Sequence, residues 1–195
     1  MFRFLRNHPF APLSVLLAFA LAFAVSSAAG SSKFVDSDDA KEKDEPQGFL
    51  KDYNKLVKGK EADWVYYTEG ADLKKYKSVS IKFEANGKKE SKRAAGEGPE
   101  YTEQWIDKSK LGWKVVKGGG DLAIEGNVFS AWEPSGAARA WGGWAANPGV
   151  GIELMGKDKS GKIVFQVRHK SKGSTIHDAV ENAMENIIKT LETGR

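Results

Sequence analysis

Gly149-Val150-Gly151-Ile152-Glu153-Leu154-Met155-Gly156-Lys157-Asp158, then Lys159-Ser160-Gly161-Lys162, then Ile163-Val164-Phe165-Gln166-Val167: the reading of this stretch decides the fold class. Side chains alternate along an extended chain, so Val150, Ile152 and Leu154 share one face. Ile163, Phe165 and Val167 share one face of the next strand in the same way. The polar, glycine-containing run between them predicts a turn, and so an antiparallel hairpin. Immediately downstream, Ile176, Val180, Ala183, Met184, Ile187, Ile188 and Leu191 recur at helical spacing. Thr175 and Asp178 suit the start of that helix, and Gly194 suits its end. A striped helix beside a half-apolar hairpin buries both surfaces by packing one on the other.

Upstream, Leu122, Ile124, Val128 and Trp132 share one parity and predict a long strand, with Gly126 permitting a bulge. Val79, Ile81, Phe83 and Ala85 alternate with Ser80, Lys82 and Glu84, which predicts another strand. Trp64 to Tyr67 is rich in strand formers, and Phe49, Tyr53 and Leu56 share one face of a short helix. Asn86 to Pro99, with Gly87, Gly96, Gly98 and the basic run Lys88 to Arg93, reads as an irregular connection. Glu100 to Leu111 then reads as a short helix burying Tyr101, Trp105 and Ile106, stopped by Gly112. The expectation is an α+β fold. Its mostly antiparallel sheet of four to five strands is covered by a C-terminal helix and one or two short helices.

The 195 residues include no cysteine, which excludes disulfides, thiolate catalysis and cysteine-ligated zinc. Arg3 and Arg6 precede the apolar run Ala11 to Val25 and the small residues Ser26 to Gly30, the layout of a signal peptide over residues 1–29. The run is short for a membrane span, so cleavage near Ala29 is expected over retention as an inner-membrane anchor. The chain carries a formal charge of +4, and without these residues, which hold two basic and no acidic groups, it carries +2. Residues 30–47, crowded with Asp36, Asp38, Asp39, Glu42, Asp44 and Glu45, read as an acidic disordered linker. Residues 48–195 then form a single α+β envelope domain, periplasmic or secreted.

The run Gly119-Gly120-Asp121-Leu122-Ala123-Ile124-Glu125-Gly126 is followed by Glu133-Pro134-Ser135-Gly136, Arg139, Gly142-Gly143 and the Asp158-Lys159-Ser160-Gly161-Lys162 turn. With Gly48 to Tyr53 and Gly70 to Tyr76, this order resembles uncharacterised bacterial envelope domain families, lipoprotein-like and of unknown function. The resemblance covers most of residues 48 to 192 and implies an α+β envelope domain without recorded enzyme chemistry. Two departures stand out. The cysteine needed for a lipid anchor is absent, and the long helix expected after the first strand is replaced by the connection at Asn86 to Pro99.

Catalytic constellations are weak. His169 and His177 have no third partner at ligand spacing, so neither a metal nor a cofactor is expected. No Gly-x-Ser-x-Gly elbow occurs. Gly118-Gly119-Gly120 precedes a strand and is followed by Asp121, whereas a phosphate loop follows a strand and brings a lysine. Two surfaces remain. Trp132, Arg139, Trp141 and Trp144, set among glycines, offer rigid rings beside a cation, a candidate binding face; the competing reading folds the rings back onto glycines in the sheet. Lys88, Lys89, Lys92 and Arg93 suit contact with an anionic envelope surface better than with nucleic acid, given export. The expected function is a non-enzymatic, exported envelope protein that binds or scaffolds another macromolecule, an envelope protein or glycan. The alternative is a glycan- or small-ligand-binding module using the Trp132–Trp144 region, and an unrecognised hydrolase ranks third.

Overall fold

The computed structural model describes residues 48–85, 89–135 and 147–194. The segments read as signal and linker, together with Lys88, Arg139, Trp141 and Trp144, lie outside the described residues. Seven strands form one sheet: β1 (Val57–Lys58), β2 (Trp64–Tyr67), β3 (Ser78–Ala85), β4 (Lys114–Val115), β5 (Leu122–Trp132), β6 (Gly149–Asp158) and β7 (Ile163–Lys172). Their order is β1-β2-β7-β6-β5-β3-β4. Two long helices, α1 (Lys89–Lys108) and α2 (Ile176–Thr193), pack against the sheet and each other.

The fold is α+β as expected, but the sheet has seven strands, not four to five, and is mixed: four of its six strand pairings are antiparallel and two are parallel. β3 pairs in parallel with both β5 and β4. The cause is α1, which carries the chain out of β3 and so allows β5 to return in the same direction. From Lys89 onward the segment read as an irregular connection is therefore helix, so a long helix does follow β3. Gly96, Gly98 and Pro99 lower helix propensity, and Pro99 removes one backbone donor from the ladder. Packing overrides them: Phe83 of β3 lies where a β-carbon on Gly98 would sit, so the glycine lets α1 approach the sheet. The first short helix is reduced to a 3₁₀ turn at Tyr53–Lys55.

The C-terminal elements match the sequence closely. β6 and β7 form the antiparallel hairpin. In its turn, Gly161 adopts a left-handed φ of 80° and Asp158 Oδ1 accepts from Ser160 N at 2.9 Å and Lys162 N at 3.0 Å. Thr175 caps α2 by accepting from Asp178 N at 3.0 Å, and Gly194 closes it with φ 75°. Ile187, Ile188 and Leu191 are buried against the sheet with Val79, Leu122, Ile124, Ile152, Leu154 and Val167.

One register shift changes a side chain's destination. Val128 pairs with Ile152 but Ser130 pairs with Gly151, so Phe129 is an extra residue in β5. The bulge is at Phe129, not Gly126. Because side-chain direction has a period of two, it moves Trp132 off the helix-side face that Leu122, Ile124 and Val128 share.

Candidate functional site

The face opposite the helices carries a cluster of polar, aromatic and glycine residues in register across β5, β6 and β7. In one row Asn127, Glu153 and Arg168 are neighbours; in the next come Ser130, Gly151 and Lys170; in the last, Trp132, Gly149 and Lys172. The bulged Phe129 lies over Gly151, and the Trp132 ring lies over Gly149, in space a side chain at either glycine would occupy. Because both glycines leave that space open, cations of β7 reach rings of β5. The Arg168 guanidinium lies 3.8 Å from the Phe129 centroid, and Lys172 Nζ lies 6.0 Å from that of Trp132. Phe129 is fully buried, whereas Trp132, Lys170 and Lys172 are half-buried.

Residues 48–56 form a strap over the lower part of this face. Lys51 N donates to Gln166 Oε1 at 2.6 Å, and Gln166 Nε2 donates to Asp52 Oδ2 at 3.0 Å. Tyr53 Oη donates to Glu153 Oε1 at 2.8 Å, the oxygen that also accepts from Arg168. Asn127 Nδ2 lies 3.4 Å from Glu153 Oε2. Burial pushes the Glu153 carboxyl above its ordinary value, against the opposing pull of Arg168 and the hydrogen bonds from Tyr53, Arg168 and Asn127. Burial, with the Glu153 charge beside it, pushes the Tyr53 hydroxyl up to about 12. The buried charge is therefore held by a cation and donors from three directions, as a stable buried ion requires.

The histidines join separate networks. His169 Nδ1 lies 3.0 Å from Asp63 Oδ2, and its Nε2 lies 3.1 Å from Asn186 Nδ2 on α2. Asp63 Oδ2 also accepts from Lys170 N at 2.8 Å. Burial alone would raise the Asp63 carboxyl, but the His169 bond and charge, with the Lys170 amide, hold it below its ordinary value. His177 contacts Tyr101 and lies 3.4 Å from Glu97 Oε2 of α1. Among the described residues, no group of three histidine or carboxylate side chains is placed to hold a metal.

Of the residues singled out from sequence, Trp132 lies in the rowed cluster, packed back onto the sheet. Lys89, Lys92 and Arg93 occupy the first turns of α1, where Arg93 pairs with Glu97 at 3.3 Å. Glu153, Arg168, Gln166, Asn127 and Tyr53 belong to no motif that marks a site in the sequence. Glu153 is the lone polar side chain between Gly149 and Gly156, and Gln166 is the lone one between Ile163 and Val167, which was the available signal. No described helix is long and apolar enough to cross a membrane.

No family model and no curated protein matches the chain. Solved structures resemble it. A PelC dodecamer from Paraburkholderia phytofirmans shares the fold at a TM-score of 0.50 and 13% identity, covering 66% of this chain and 96% of that one. A DUF4136 family protein from Bacteroides thetaiotaomicron is similar at 0.37 and 12% identity, covering 72% and 96%. A PDZ domain protein from Parabacteroides distasonis is similar at 0.42 and 12% identity, covering 67% and 34%.

Proposed function

We propose that this is an exported bacterial envelope protein, periplasmic or secreted, that binds or scaffolds another macromolecule and performs no catalysis. The observation that carries the reading is the use to which the polar side chains are put. Glu153, Arg168, Tyr53 and Asn127 engage one another to hold the strap, and His169, Asp63 and Asn186 engage one another to hold α2. Groups saturated in this way stiffen a surface; a general base or nucleophile instead needs an aimed, reachable lone pair. The PelC chains, which share this fold, form dodecamers, and a scaffold of several copies is in keeping with that.

A second reading makes the upper end of the rowed face a glycan- or small-ligand-binding module. It is favoured by Trp132, half-buried and held between Gly149 and Lys172, since a pre-set ring with a cation at its side suits stacking on a sugar. Arg139, Trp141 and Trp144 of the adjoining segment complete this reading.

Capture of partners from the organism's own envelope fraction tests both, with melting measured on the same preparations. The Trp141→Ala/Trp144→Ala variant and Trp132→Ala should each keep a cooperative melt and lose capture. Loss of protein capture supports the scaffold; loss of glycan retention alone supports the module. Undiminished capture of both by stable variants removes this face from consideration.

A further inference from the structure

We propose that two copies of this chain pair through the outer edge of β3, antiparallel and centred on Phe83. β4 covers only the start of the outer edge of β3. Lys114 N donates to Lys77 O and Val116 N donates to Val79 O, each at 2.8 Å, so the odd-numbered residues of β3 turn their backbone groups outward. β4 stops there. By the same alternation the next outward groups belong to Ile81, Phe83 and Ala85. No strand lies beside them among the described residues, while the inner groups of β3 pair with β5 as far as Ala85 and Val128. An edge of this kind is a template for another strand.

The sequence of the edge says which strand fits. A two-fold interface must be self-complementary. Backbone pairing alone allows the axis at any residue of β3, but through Lys82 or Glu84 it would set that charge directly opposite its own copy, and through Ser80 it would meet β4, so the axis passes through an odd-numbered position. Centred on Ile81, the second copy would run into the place β4 occupies; centred on Ala85, it would leave β3. Centred on Phe83, it covers Ile81 to Ala85 and stops where β4 begins. Ile81 then faces Ala85 of the second copy, and Phe83 faces Phe83.

In this register Lys82 stands directly opposite Glu84 of the second copy, twice by symmetry. Both side chains are exposed, at 74% and 64%, and in the single chain they bridge each other at 2.8 Å along the strand. Glu125, beside Lys82 in the ladder, is engaged by Lys157 at 2.6 Å. The Lys82 and Glu84 charges are therefore placed to exchange partners across the axis without disturbing the face they stand on. α1 packs on β3, so the α1 helices of the two copies become neighbours over the joined sheet.

The competing reading is that a charged lysine and glutamate keep the edge from pairing at all. Sedimentation equilibrium of the purified protein at low salt separates the two. A concentration-dependent dimer is expected. Lys82→Glu or Glu84→Lys alone would set like charges opposite one another twice and weaken it about tenfold or more. The double variant Lys82→Glu/Glu84→Lys restores the pairs in reverse and should restore the dimer. Both side chains are solvent-facing, so unchanged melting of all three is the control, and Lys82→Gln with Glu84→Gln gives the same order at smaller size should a reversal unfold. A monomer at every concentration, an assembly indifferent to the single reversals, or a double variant that fails to recover overturns the proposal. Trp132→Ala should leave the dimer intact, which keeps this result apart from that of the binding reading.

Discussion

The two faces of one sheet are stabilised by different physics. On the helix side, Ile152, Leu154 and Val167 meet Ile187, Ile188 and Leu191, and burial of apolar surface is the cohesive term. On the strap side, the next residue along each strand is Glu153 or Arg168, buried to the same depth, and cohesion depends on each polar group meeting its partner. The apolar face tolerates repacking that keeps its volume. The polar face does not tolerate the loss of one member, because the survivor is left charged and dry.

The largest effect is expected from putting the chemistry of one face into the other. Ile187→Asp sets an unpaired carboxylate into the helix-side core, which should cost on the order of 5 kcal/mol and abolish a cooperative melt near room temperature. An unchanged melting temperature would mean that the α2 stripe does not pack on the sheet. Next in size is Arg168→Ala, which strands Glu153 and should cost about 3–5 kcal/mol. Arg168→Met with Glu153→Gln should recover most of that loss, since neither charge is then buried. Additive losses in denaturant titrations would show that the two side chains act independently.

The smallest effect is one of pH. Asp121 accepts from Ser78 N at 3.2 Å and pairs with Lys159 at 2.8 Å. The Lys159 bond first, then those of Ser78 and Lys77, hold its carboxyl at about 2, below its ordinary 3.8. A depressed folded value means stability that is present above 3.8 and lost as pH falls toward about 2. Glu153 has the opposite sign: its raised value means that the folded state binds the proton more tightly, so acid relieves a cost there. Asp121→Asn should therefore flatten the fall in melting temperature between pH 3.8 and about 2. An acid profile identical to that of the unaltered protein would show that the Asp121 clip contributes nothing.

Local periodicity and local punctuation were legible without a structure. The stripe of α2, its Thr175 and Gly194 ends and the Asp158–Lys162 turn all depend on residues within one or two turns of one another, so spacing alone determines them. The candidate site was legible only in Trp132, and for the wrong face. A single extra residue at Phe129 inverts parity beyond it, and nothing local distinguishes a bulge there from one at Gly126.

What tertiary structure decided is whatever joins distant positions. Gly96, Gly98 and Pro99 argue against a helix when read in place; only the ring of Phe83 against Gly98 makes the small residue an advantage. The parallel pairing of β3 with β5 follows from that helix. Tyr53 and Glu153 are 100 residues apart, and Arg168 and Glu153 are 15 apart. Sequence determined that a carboxylate and a guanidinium occur in neighbouring strands. Only the register of β6 against β7, with the strap laid over them, decided that the two would be buried together. Burial of a charge depends on every direction around it at once, and a one-dimensional pattern carries only its neighbours along the chain.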